Sequence, residues 1–213
     1  MELLMTIGDL VILNVLFLLC SLPIFTIGAA QAGLYTGLRV LVDKEDDSSP
    51  AAAFFRGFTS GFGKITVVHS LLLVLVLVIS YMSALVYMQK QGAGLAVWIS
   101  LVSILISTIL PSVIYIFHSR FSCTAFQLFR NAWLLFLAHP LRCALVALLT
   151  WSPIYIALID LQIFILATPV FITVYFSFAS LLSNSLMKKP FQDLIQMFNE
   201  KNQIPEQTED ITE

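Results

Sequence analysis

The chain has 213 residues, 59% of them hydrophobic and 11% charged, with a formal net charge of −2. A soluble domain carries about 25% charged residues, so this composition cannot cover a water-facing surface, and lipid must take that place. The near-neutral balance argues against nucleic acid as a partner, which needs a basic stripe.

The first apolar run is uncharged from residue 10 to residue 38. As one straight helix it would reach about 44 Å, longer than a hydrocarbon core of about 30 Å. The run must therefore tilt, kink or turn. Pro23 can kink it by removing a backbone donor, and Gly28 is expected to break it at the membrane edge. Span one is placed at 10–27, with Asn14 and Ser21 on one face pointing into a bundle. Beyond it, Ala29, Gly33 and Gly37 recur every four positions, so one helix face admits a close neighbour. Ala30-Gln31-Ala32 resembles a signal-peptide cleavage site. The preceding n-region, however, contains no Lys or Arg and carries Glu2 and Asp9, which argues against cleavage.

Asp43-Lys44-Glu45-Asp46-Asp47 reads as a solvated loop. Ser49-Pro50 then has the form of an N-cap followed by proline at the first helical position. Phe54, Phe55, Phe58 and Phe62 follow at helical spacing, flanked by Arg56 and Lys64. This predicts a short interfacial helix. Spans two and three are placed at 65–88 and 95–117, with the turn near Gly92 and Gly94. Ser80 and Ser83 on one span and Ser100 and Ser103 on the other are matched in depth. They predict a serine-lined contact, the tightest in the bundle.

The apolar stretch that contains Phe126, Phe129 and Trp133 predicts a second interfacial helix. Spans four and five follow at 141–159 and 163–182, containing Pro153 and Pro169. From Lys188 the chain turns polar and should fray as a tail, 188–213. The fold class is thus an all-α, polytopic bundle of five spans (domain 1–187) with two cytoplasmic interfacial helices. Ten of the eleven basic residues fall on one side of this arrangement, leaving only Lys90 opposite. That side is then the cytoplasm, with the N-terminus outside and the C-terminus inside.

Two stretches carry a family resemblance. Leu22-Pro23-Ile24-Phe25-Thr26-Ile27-Gly28, with Tyr35 and Arg39 and then Phe55-Arg56-Gly57-Phe58, resembles the start of the YesL-like family of bacterial integral membrane proteins. Arg130-Asn131-Ala132-Trp133 through His139-Pro140 resembles its second signature. The resemblance implies a multi-pass protein of the bacterial cell membrane associated with carbohydrate uptake or polysaccharide utilisation. It also marks Pro23, Thr26, Gly28, Tyr35, Arg39, Phe55, Arg56, Arg130, Asn131 and Pro140 as motif residues.

The sequence contains no H-E-x-x-H pair, P-loop, dinucleotide fingerprint or G-x-S-x-G elbow. Cys20, Cys123 and Cys143 lack zinc or disulfide spacing and read as small apolar residues. His69, His118 and His139 fall near the cytoplasmic ends of spans, without ligand partners at metal spacing. No Asp, Glu, Lys or Arg lies deep in a span, where ion-coupled carriers and intramembrane enzymes place such groups. The expectation is a non-enzymatic accessory membrane protein with no cofactor. Its partners are the lipid bilayer and another membrane protein, such as a sugar-transporter component. A carrier for a small neutral solute is the alternative, and an intramembrane enzyme is disfavoured.

Overall fold

A computed structural model of the chain describes residues 2–43, 48–88, 93–121 and 124–203. The expectations for Lys44–Asp47, the turn at Gly92, Cys123 and the last ten residues fall outside them. All the described elements are helical. They are α1 (Glu2–Ser21), a 3-10 turn (Ile24–Thr26), α2 (Ile27–Asp43), α3 (Pro50–Met88), α4 (Ala93–Arg120), α5 (Ala125–Ala138), α6 (Pro140–Ile159), α7 (Leu161–Val170), a π segment (Phe171–Tyr175) and α8 (Phe176–Gln203).

Four helical stretches are long and apolar enough to cross a membrane: Pro50–Met88, Ala96–Arg120, Pro140–Ile159 and Leu161–Asp193. Within α1, Thr6–Ser21 is a shorter apolar helix. Such helices satisfy their own backbone groups, which hydrocarbon requires.

The first run does not cross once and leave. It stops at Leu22–Pro23, five residues before the expected break at Gly28. Proline cannot donate the next helical hydrogen bond and disfavours helix in the residue before it. Pro23 is extended, with φ −76° and ψ 120°. The Thr26 hydroxyl donates to the carbonyls of Cys20 at 2.6 Å and Pro23 at 2.7 Å, which ties the reversal shut. Between them, residues 13–21 and 27–37 would advance about 27 Å along a common axis. Yet a Cβ added at Gly37 would lie 2.7 Å from Leu13 Cδ2. The chain has therefore folded back, and α1 and α2 form an antiparallel hairpin. Span one at 10–27 is corrected accordingly. The amino end of α1 and the carboxyl end of α2 point the same way, not to opposite faces.

α2 is the central element. Ala29, Ala30, Ala32, Leu34, Tyr35 and Leu38 are all fully buried. One core cluster joins α2 to α1 and α3 through Leu13, Phe17, Leu34, Leu38 and Phe54. A larger one joins it to α3, α4, α5, α6 and α8.

α3 starts as Ser49-Pro50 predicts, with the Ala52 amide donating to Ser49 Oγ at 3.3 Å. The separate interfacial helix expected at its start is absent. α3 runs unbroken through Gly57, Gly61 and Gly63 for 39 residues, about 58 Å at 1.5 Å per residue. No proline or turn sequence stops it, and neighbours pack on two of its glycines. The stretch that contains Phe126, Phe129 and Trp133 does form a separate helix, α5, opened by a capping box in which Thr124 and Gln127 satisfy each other's backbone amides. Its buried stripe is Leu128, Ala132 and Leu135.

The helix that begins at Leu161 changes character past Pro169. A π turn opens at Phe171–Tyr175, where regular backbone bonding fails. Asn14 of α1 fills the gap. Its amide nitrogen donates to the carbonyls of Phe171 at 3.1 Å and Ile172 at 2.6 Å, and its oxygen accepts from the Ser177 amide at 3.2 Å. Ser177 Oγ in turn donates to the Leu10 carbonyl at 2.8 Å. α8 then continues past Lys188 as helix. Phe191 is buried against Phe117 and Phe121, so the fraying expected from Lys188 does not begin there.

Candidate functional site

The bundle core holds a cluster of polar but uncharged side chains, contributed by five helices. Gln31 and Tyr35 come from α2, His69 from α3, Ser112 and Tyr115 from α4, Thr150 and Trp151 from α6, and Ser180 and Ser183 from α8. Burial forces these groups to find partners. Gln31 Nε2 donates to Ser180 Oγ at 3.0 Å. Trp151 Nε1 donates to the Thr108 carbonyl at 3.1 Å and to Ser112 Oγ at 3.0 Å, on either side of Pro111 on α4. His69 Nδ1 and the Tyr115 hydroxyl are 2.6 Å apart. Further along α6, Ser152 and Tyr175 pair through their hydroxyls, and the Tyr175 hydroxyl donates to the Leu149 carbonyl at 3.0 Å.

Within this cluster the Tyr35 hydroxyl and His69 Nε2 are buried without a hydrogen-bond partner. Tyr35 lies among Gln31, Thr150, Ser180 and Ser183 but closes no hydrogen bond of proper geometry. Two cavities of about 150 Å³ adjoin the cluster. One is lined by Gln31, Tyr115, Thr150 and Trp151, the other by His69, Thr108, Pro111 and Trp151. Each exceeds the volume one water molecule needs. The arrangement can donate and accept hydrogen bonds to a neutral group. No group of three or more His, Cys, Asp or Glu suited to a metal occurs among the described residues.

The residues singled out from sequence fall in several places. Gly33 and Gly37 line the seam between α2 and α3. A Cβ at Gly33 would meet the Phe54 carbonyl at 2.8 Å, and one at Gly37 the Pro50 carbonyl at 2.9 Å. Gly57 completes the seam from the α3 side, where a Cβ would lie 2.7 Å from Thr36 Cβ and 3.1 Å from Gly33 Cα. Ala29 is fully buried on α2. Gly28 is packed inside α2, where a Cβ would approach Ile65, His69 and Tyr115 at 3.0–3.1 Å.

Ser80, Ser83 and Ser100 line a common cavity of about 330 Å³, and Ser83 and Ser103 are buried. That cavity also rules them out as the tightest contact, which belongs to the glycine seam. Ser100 Oγ bonds its own helix, donating to the Ala96 carbonyl at 3.0 Å.

Among the motif residues, Thr26 and Tyr35 are buried, while Pro23, Phe55, Arg56, Arg130 and Pro140 are exposed and Asn131 is half-buried. Arg39 donates to the Ser119 carbonyl at 2.8 Å, closing the carboxyl end of α4. Sequence reasoning missed Gly57, the His69–Tyr115 pair and the Trp151 bridge. Gly57 and Gly61, four apart, were a readable signal of close packing, whereas the other two join helices whose register only the fold sets.

Residues 10–84 match the model of a family described as a protein of unknown function, DUF624. The matched region runs from the middle of α1 through α2 and most of α3. No curated protein and no solved structure matches the chain. The apolar helices and this match are compatible with a membrane protein.

Proposed function

We propose that the chain is a non-enzymatic accessory protein of the bacterial cell membrane, of the YesL-like type, that engages partner membrane proteins serving carbohydrate uptake or utilisation. The observation that carries the accessory role is the locked centre of the bundle. α2 is buried around its whole circumference from Gly28 to Tyr35, seated backbone to backbone on α3 at Gly33 and Gly57, and bonded to α8 through Gln31. Carriers open a path by rocking one half of the molecule against the other, and a central helix held in this way opposes such motion. The carbohydrate association rests on the resemblance alone.

Arg39, Arg120 and Lys188 gather at one end of the bundle, which supports a cytoplasmic assignment for that end. Because α1 folds back on α2, this reading turns the N-terminus toward the same end. Impermeant thiol labelling of a cysteine-free chain carrying Gly8→Cys, Ser49→Cys or Gly94→Cys tests it. Gly8→Cys and Ser49→Cys should label from the same side and Gly94→Cys from the other. Labelling of the first two from opposite sides would overturn this topology.

Co-purification from native membranes tests the accessory role, with a stoichiometric sugar-transporter component as the expected result. A second reading, a carrier for a small neutral solute, is favoured by the unsatisfied Tyr35 hydroxyl beside uncharged cavities. Solute-dependent flux in liposomes containing only this chain would establish the carrier and displace the accessory role.

A further inference from the structure

The basic end of the bundle contains a cavity of about 280 Å³ between α2, α4 and α8. Three cationic side chains line it, one from each helix: Arg39, Arg120 and Lys188. Asn184 and Ser185 add uncharged polar groups to the wall. The two guanidinium groups are held in place by contacts of their own. Arg39 donates to the Ser119 carbonyl at 2.8 Å. Arg120 donates to Asn184 Oδ1 at 3.2 Å and lies 5.2 Å from the centre of the Phe191 ring. Planar guanidinium groups fixed in this way suit the oxygens of a phosphate better than flexible ones do.

The rest of the wall is apolar. Val42, Leu181 and Leu182 border the cavity, and Val42 and Leu182 are also exposed on the outer surface of the bundle. The site therefore joins a cationic hollow to a lipid-facing apolar flank. Its volume sits at the lower edge of small-molecule pockets, about 300 Å³ and up. It has room for a headgroup but none for acyl chains, which would have to lie along the leucines. Basic pockets between transmembrane helices at the cytoplasmic face take the headgroups of anionic lipids.

We propose that this cavity binds a phosphate-bearing anion, with Arg39, Arg120 and Lys188 as its cationic ligands and the headgroup of an anionic phospholipid as the source its apolar flank fits. The site lies apart from the neutral core cluster and does not depend on the accessory role proposed above.

Native mass spectrometry of the full chain in detergent tests this. The probes are phosphatidylglycerol, phosphatidylcholine, inorganic phosphate and soluble glycerol phosphate. Phosphatidylglycerol should bind at one saturable site and phosphatidylcholine should not. Lys188→Gln, at an exposed side chain whose loss leaves the core intact, should weaken that binding about fivefold, the scale of one basic residue near an anionic surface. Arg130→Gln, on an exposed face of α5 away from the cavity, should leave it unchanged.

If inorganic phosphate or glycerol phosphate binds the same site and displaces the lipid at comparable concentration, the phosphate chemistry stands and the source is a soluble anion. If neither soluble anion competes, the source is the lipid. Equal binding of phosphatidylcholine, or unchanged affinity in Lys188→Gln, would overturn the proposal.

Discussion

The seam between α2 and α3 and the far half of the α3–α4 hairpin use the same kind of small residue to opposite effect. In the seam, Gly33, Gly37 and Gly57 bring two backbones together, and α2 is enclosed by other helices. In the far half, Ser80, Ser83 and Ser100 surround a cavity of about 330 Å³. There, among the described residues from 70 to 108, only Ser83, Ala96 and Ser103 are buried. Leu77 and Trp98 are 60% and 68% exposed. Small residues permit close approach, but they do not cause it. Dispersion and exclusion of lipid tighten a contact only where surrounding helices complete the packing.

The largest effect is expected at the seam. Gly33→Leu should lower stability by about 3 kcal/mol, the upper end of overpacking costs, because the first added carbon already meets a backbone carbonyl. The midpoint of thermal aggregation in detergent should fall clearly. Gly94→Leu, where an added carbon meets nothing within 4 Å, should leave that midpoint in place. Equal effects at the two sites would mean that the seam is not specially tight.

A smaller loss is expected at the clamp on the π turn. Asn14→Ala strands two carbonyls and one amide that have no water to turn to, at a cost of about 1–3 kcal/mol. Asn14→Gln, with the same chemistry one carbon longer, should recover little because the three bonds depend on reach. Differential scanning fluorimetry of the two variants would show whether the clamp is chemical or merely steric.

Within the core cluster, Tyr115→Phe removes the partner of His69 and should cost about 1 kcal/mol. A larger fall in Tyr115→Phe than in Asn14→Ala would shift weight from the α1 clamp to the polar core.

The smallest effect belongs to the serines. Ser103→Ala deletes a buried hydroxyl with no partner among the described residues and should change stability by no more than about 0.5 kcal/mol. In a cysteine-free background, Ser83→Cys with Ser100→Cys should cross-link efficiently through a short bifunctional thiol reagent, since both line one cavity. Failure to cross-link would separate α3 from α4 at this level and remove the far half from the comparison.

The sequence by itself determined the solvent and the class of element. With so few charges the surface has to face lipid, and lipid admits helices that bond internally. It also determined local events governed by one or two side chains. Pro23 ends a helix, Ser49-Pro50 starts one, and Asn14 is too costly to leave facing hydrocarbon. The spacing of Gly33 and Gly37 announced a face able to accept a close neighbour.

Tertiary structure alone decided which neighbour that was. The fold-back of α1 on α2 depends on a contact between Leu13 and Gly37, 24 positions apart, and hydrophobic periodicity carries no record of such a pairing. The continuity of α3 past Gly57 and Gly61 was hidden for a related reason. Those glycines weaken an isolated helix, and only the packing of Thr36 and His118 against them turns them into contact sites. The neutral cluster around Tyr35 is the extreme case. Its members come from five helices, and each reads in sequence as an ordinary residue of an apolar span.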